Sequence, residues 1–219
     1  MAFNESQENE DYISSSINTL IKIENEVVLI ESFNDKNKHN HYNFIEYNEA
    51  DIKQVDRNYD PINYYSHVIK YVIQNEYPIH FENLCKRVAP LFGNQKATQK
   101  VTDSVYRLLS GHLQNEIVKE GDFLSPKNVD TIFVRVPKEN SDNIRPINYI
   151  SRPELAEAML CVARKSYGIK PEDLFIKTSR EFGFNRTGAN ITQAFQEAYI
   201  YLKANEKVKE IDGNKVIVI

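Results

Sequence analysis

The chain writes one pattern twice. "EYPIHFENLCKRVAPLFG" starts at Glu76, and "SYGIKPEDLFIKTSREFG" starts at Ser166, ninety positions on. Tyr77, Ile79, Glu82, Leu84, Phe92 and Gly93 recur without a gap at Tyr167, Ile169, Glu172, Leu174, Phe182 and Gly183. Whatever unit the first copy folds into, the second must also be able to form. The match continues downstream, where Glu116, Val118, Lys119, Glu120 and Asp122 reappear as Glu206, Val208, Lys209, Glu210 and Asp212.

Local signals predict the unit. Asp60-Pro61 supplies an N-cap and a first-turn proline. Tyr64, Tyr65, Val68, Tyr71 and Val72 then recur on one helix face. "PIH" is a short extended break, with His80 as a capping residue. A second helix runs from Phe81 to Phe92 and ends at Gly93. A third covers about Ala97 to Leu113, with Val101, Val105, Leu108 and Leu109 inward. "EIVKEGDFLSP" reads as two strands around a Gly-Asp turn, and "TIFVRV" as a further strand. In the second copy Ser151 and Glu154 have the S-x-x-E form of a capping box. Pro171 opens helix two, "FNRTGANITQAFQEAYIYLKANE" is helix three, and "KVKEIDGNKVIVI" is a hairpin with an Asp-Gly turn.

Three helices with a short strand between the first two, then a hairpin, is the order of a winged helix, a helix-turn-helix carrying a β-wing. The expected fold class is therefore α+β, mainly α with small β-wings. It comprises two winged-helix domains in tandem, residues 60–136 and 151–219, joined by a linker at 137–150. Residues 1–59 form an acidic, partly disordered and peripheral N-terminal segment. "INTLIKIENEVVLIESF" there could make a hairpin, and "FIEY" a short strand.

These residues resemble a known family: the small domain of unknown function at the C-terminal end of large bacterial superfamily-1 DNA helicases, often beside a very-short-patch-repair-like nuclease domain. The resemblance rests on "YPIHFENLCKRVAPLFG", "KEGDFLSP", "VRVP", "SRPELAEAML" and "GFNRTGANI", and covers about Tyr64 to Lys209. The first copy departs from the pattern at "NQKATQKV", where an arginine-glycine element is usual, and at Ser125, where an aromatic is usual. The resemblance implies an accessory role beside a bacterial helicase or nuclease, in DNA repair, restriction or phage defence.

Charge and missing motifs narrow the function. The net charge is −4, yet residues 1–60 hold 13 acids and 5 bases while the remainder holds 18 acids and 22 bases. The repeated part is thus the mildly basic part. No nucleotide-binding G-x-x-x-x-G-K-[ST], no G-x-S-x-G and no H-E-x-x-H occurs. The "HNH" at His39–His41 reads as a polar loop. Cys85 and Cys161 read as small buried hydrophobes. The expectation is a cytoplasmic, non-catalytic protein without metal or cofactor.

What remains is a nucleic-acid surface, since the third helix of a winged helix enters the major groove while the wing touches backbone. In the first copy Lys96, Gln99, Lys100 and Arg107 are exposed, with Thr98 as a phosphate contact and Lys119 on the wing. In the second, Ile191, Phe195, Ala198 and Leu202 face inward, which exposes Asn190, Gln193 and Glu197. Arg186 forks to phosphate or guanine, Thr187 caps the helix, and Gly188 admits close backbone approach. Lys207, Lys209 and Lys215 decorate the second wing. DNA, duplex or single-stranded, is the expected partner. Tandem winged helices also serve as protein docking modules, and Asp103 and Glu197 on the same faces suit that alternative, with a helicase or nuclease as the protein bound.

Overall fold

Asp60 opens the first helix, its carboxylate accepting from the backbone N–H groups of Ile62 and Asn63 at 3.1 and 3.2 Å. The structure, a computed structural model, describes residues 44–55, 60–139, 141–211 and 214–219. The expected hairpin between Ile17 and Phe33, the His39–His41 loop and the Asp212-Gly213 turn lie outside the described residues. The fold is α+β, with six α-helices and small sheets among the described residues.

Helices α1 (Pro61–Glu76), α2 (Phe81–Val88) and α3 (Gln99–Ser110) precede strands β3 (Ile117–Glu120) and β4 (Phe123–Pro126). Helices α4 (Arg152–Ser166), α5 (Pro171–Glu181) and α6 (Ala189–Ala204) precede β6 (Val208–Ile211) and β7 (Lys215–Val218). Shifted by ninety, each element of the first set falls within a few residues of its counterpart in the second. Helix two of the first copy stops at Val88, short of the expected Phe92, and a 3-10 turn over Ala89–Phe92 carries the chain to Gly93 in the left-handed region at φ 71°; in the second copy Gly183, at φ 82°, follows α5 after Phe182. Only a residue without a Cβ takes that conformation freely, which explains why this glycine is written twice.

Between α1 and α2, β2 (Ile79–His80) pairs antiparallel with β4, giving the order β2-β4-β3. In the second copy the same position is a single bridge, Ile169 to Val216. Both extended breaks therefore act as an extra strand beside the hairpin.

Two hydrophobic cores result. Val68, Ile69, Val72 and Ile73 of α1 pack with Leu84, Val88, Val101, Val105 and Leu124. Leu155, Met159, Leu174, Phe182, Phe195, Leu202 and Val216 form the other. Each such side chain contributes about 1.5–3 kcal/mol by leaving water. Cys85 and Cys161 are buried and unbridged, and burial pushes the Cys85 thiol up to about 11.

Three further features depart from expectation. The strand expected in "TIFVRV" is confined to β5 (Val134–Val136), and Val134 joins the second core, not the first. Residues 44–55, expected to be peripheral, belong to the same compact unit as the rest. Strand β1 (Phe44–Glu46) pairs in parallel with β5, and Tyr47 is buried. Arg87 fastens this segment: it meets Glu49 at 2.9 Å and Glu76 at 3.2 Å and donates to the Ala50 carbonyl at 2.6 Å.

The third departure is Glu154. Ser151 does cap α4, accepting from the Glu154 N–H at 3.2 Å. The Glu154 side chain does not return to Ser151, however. Its carboxylate is fully buried and accepts from Arg135 at 2.8 Å and from Arg145 at 2.5 Å. Arg135 also donates to the Pro78 carbonyl at 2.8 Å and to the Glu76 carbonyl. One ion triad thus joins the end of α1 in the first copy to the start of α4 in the second. Burial raises the Glu154 pKa, but the two guanidinium groups outweigh it and hold the carboxyl below the usual range.

Candidate nucleic-acid interface

The expected inward stripes are present. Val101 and Val105 of α3 are buried, as are Phe195, Ala198 and Leu202 of α6. Helical periodicity then turns Gln99, Lys100, Asp103 and Arg107 outward on α3, and Asn190, Gln193 and Glu197 outward on α6. Lys96 and Thr98 are exposed just ahead of α3, and Arg186, Thr187 and Gly188 just ahead of α6.

The two helix starts differ chemically. Thr98 is the N-cap of α3, its hydroxyl accepting from the Val101 N–H at 3.4 Å. That lone pair is engaged by the helix, so Thr98 shapes the start of α3 as well as lying on its surface. At α6 the N-cap is Gly188, with no side-chain cap. Thr187 therefore does not cap α6; it sits one residue too early. The first backbone N–H groups of α6 lack a side-chain acceptor, beside an exposed Arg186, an arrangement that favours anions. Gly188 has ordinary extended geometry, and a Cβ built on it would meet nothing within 4 Å. The glycine leaves space there; it relieves no strain.

Other outward side chains are partly occupied. Gln99 donates to Asp103 at 2.8 Å, and Gln193 to Glu197 at 2.9 Å. Arg107 lies along its own helix, donating to the Asp103 carbonyl at 3.2 Å. Lys119 is turned back onto the Gly121 carbonyl, with Asp122 at 3.9 Å. Lys119 of the first wing is thus exposed yet partly engaged by its own turn.

The second wing is different. Val208 and Val216 are buried, so the alternate positions face out. Lys209 is opposite Ile217 and Lys215 opposite Ile211, while the Lys207 carbonyl accepts from the Ile219 N–H at 3.1 Å. Lys207, Lys209 and Lys215 consequently share one outward face of the hairpin. Glu210, on the opposite face, is held by Tyr199 at 2.7 Å and Lys203 at 3.3 Å, away from the three lysines. Sequence reasoning placed these lysines on the second wing without assigning them a face, and missed the buried triad, whose arginines carry no periodic signal.

Among the described residues no cluster of His, Cys, Asp or Glu could hold a metal, and no helix is long and apolar enough to cross a membrane. No protein-family model, curated protein or solved structure matches the chain.

Proposed function

We propose that this chain is a non-catalytic DNA-binding protein made of two winged helices in tandem. The observation that carries the reading is the second wing, where Lys207, Lys209 and Lys215 share one solvent face. Three ammonium groups on a strand face follow a phosphate backbone without reading sequence. Arg186 and the uncapped start of α6 would add a second phosphate contact, and Asn190 and Gln193, exposed on α6, would meet base edges, Gln193 on releasing Glu197. The first copy contributes Lys96, Gln99 and Lys100 at the start of α3, with Arg107 further along. Two modest sites on one body gain by effective concentration, because the second engages a strand already held by the first. An accessory role beside a bacterial DNA helicase or nuclease fits a binder with no recognised catalytic motif. Fluorescence anisotropy with labelled duplex and single-stranded DNA tests the reading.

A docking module for another protein is the second reading. It is favoured by two exposed apolar side chains on the third helices, Tyr106 at 59% and Ile200 at 63%. Absence of salt-dependent DNA binding, together with capture of a helicase or nuclease lost on Tyr106→Ala or Ile200→Ala, would select it.

A further inference from the structure

The outward face of the second wing extends beyond its two strands. Ile169 bridges Val216, with backbone hydrogen bonds in both directions at 3.2 and 2.7 Å. Both side chains are buried, so the flanking Lys170, Lys215 and Ile217 face the other way, on the side of Lys207 and Lys209. Gly168 lies under the same face, since a Cβ on it would meet the Lys215 side chain at 3.6 Å and Ile217 at 3.9 Å. Lys170 is exposed, like the three wing lysines.

Tyr167 stands at the edge of this face. It is 97% exposed, and as the C-cap of α4 it holds a left-handed backbone at φ 47° and ψ 40°. A residue with a side chain rarely takes that conformation, which glycine takes freely. The repeat supplies a comparison. Tyr77 occupies the matching position in the first copy at φ −71° and ψ 149°, half-buried, and burial raises its pKa. One tyrosine is tucked into the fold, while the other is turned out where neither packing nor backbone preference calls for a ring. Beside Tyr167 an open hollow of about 400 Å³ is lined by Arg164, Gly168, Ile217 and Val218. Acids are sparse here. Glu172 and Glu210 bear on Tyr199, on the opposite face of the hairpin. Among the described residues that leaves Glu206 and Asp173 as the exposed acids next to this face in sequence.

Building on the DNA-binding reading above, we propose that this face is a single-strand site. Tyr167 stacks one unpaired base over the hollow while Arg164, Lys170, Lys209 and Lys215 hold the flanking phosphates. A duplex keeps its bases stacked on one another, out of reach of the ring, whereas an unpaired base is free to stack on it. The stacking reads no sequence, because every base presents a ring face. It separates single-stranded from duplex DNA, a choice that lysines alone do not make.

The probe is a fluorescein-labelled thymidine oligomer, compared with a duplex of the same length, each titrated with the full chain. Tyr167→Gly removes the ring and suits the left-handed backbone, so the fold is kept. It should weaken single-strand binding about tenfold, a loss of about 1.4 kcal/mol, and duplex binding by less than about twofold. Tyr167→Phe keeps the ring and should bind like the parent. An aminopurine base within the oligomer, whose fluorescence is quenched on stacking, should be quenched by the parent and by Tyr167→Phe but not by Tyr167→Gly. Unchanged single-strand affinity in Tyr167→Gly, or an equal loss on both forms of DNA, would overturn the inference and leave the DNA-binding reading standing. No DNA binding by the parent would overturn both. A dimer of the parent that Tyr167→Gly abolishes, with single-strand affinity unchanged, would assign the ring to a second copy of the chain instead.

Discussion

Arg135 donates to Glu154 at 2.8 Å with both side chains almost wholly out of water, and the same guanidinium reaches the Pro78 carbonyl of the other copy. Arg145 completes the triad, donating to both oxygens of the same carboxylate. A buried carboxylate with two guanidinium partners keeps the copies in one relative arrangement, because separating them would strand unpaired charges in the interior.

Removing that carboxylate should therefore be costly. Glu154→Gln is expected to destabilise the protein by about 3–5 kcal/mol, the usual cost of leaving buried charge uncompensated. The pH dependence has a definite sign. Because the folded Glu154 pKa is depressed, its contribution is present above the ordinary glutamate range and is lost as pH falls through the folded value. Thermal melts between neutral and acid pH should show this loss in the parent and a flatter profile in Glu154→Gln. Glu76 works in the opposite direction, since burial raises its pKa despite the Ala50 N–H and Arg87. The Glu154 contribution is thus read from the difference between the two proteins.

The repeated glycines give a second prediction. Gly93→Ala should cost about 1–2 kcal/mol from left-handed strain alone, since nothing lies within 4 Å of the added Cβ. Gly183→Ala should cost more, because its Cβ would lie 3.1 Å from Pro137 and Ile144. Equal losses in urea titrations would mean that the 137–144 segment yields without cost.

Much of this was legible in the sequence because it is local. Asp60-Pro61, Ser151, His80 and the paired glycines act within a turn of helix, and they mark the elements as expected. The stripes of α3 and α6 follow from periodicity. The triad was illegible because Glu154 meets partners 9 and 19 positions away, and S-x-x-E already had a local explanation. The parallel pairing of β1 with β5 escaped for a similar reason: three-residue strands carry almost no pattern, and their partners are distant in sequence. The contact of Lys119 with its own turn is likewise something that composition does not reveal.

Capping separates the two threonines. Thr98→Ala should destabilise by about 0.5–2 kcal/mol, the range for a lost N-cap. Thr187→Ala should be close to neutral, since Gly188 holds the cap position. Matching denaturant midpoints for the two variants would contradict this assignment.

The wings should likewise behave differently toward DNA. Changing Lys207, Lys209 and Lys215 together to Ala should weaken binding to all sequences alike and reduce the salt slope by about 2–3. Lys119→Ala should change affinity far less, since its ammonium is engaged by Gly121 and Asp122. Arg186→Ala should cost about 1–3 kcal/mol and relax sequence preference if it reaches a base, and less if it touches phosphate alone.

Duplex DNA affinity of the full chain, measured by anisotropy across a series of salt concentrations, bears most directly on the central claim. Neutralisation of about four to six phosphates predicts a slope of about −4 to −5 in log affinity against log salt. That slope should flatten in the Lys207, Lys209, Lys215 triple variant. A slope near zero, or an unchanged slope in the triple variant, would contradict the account.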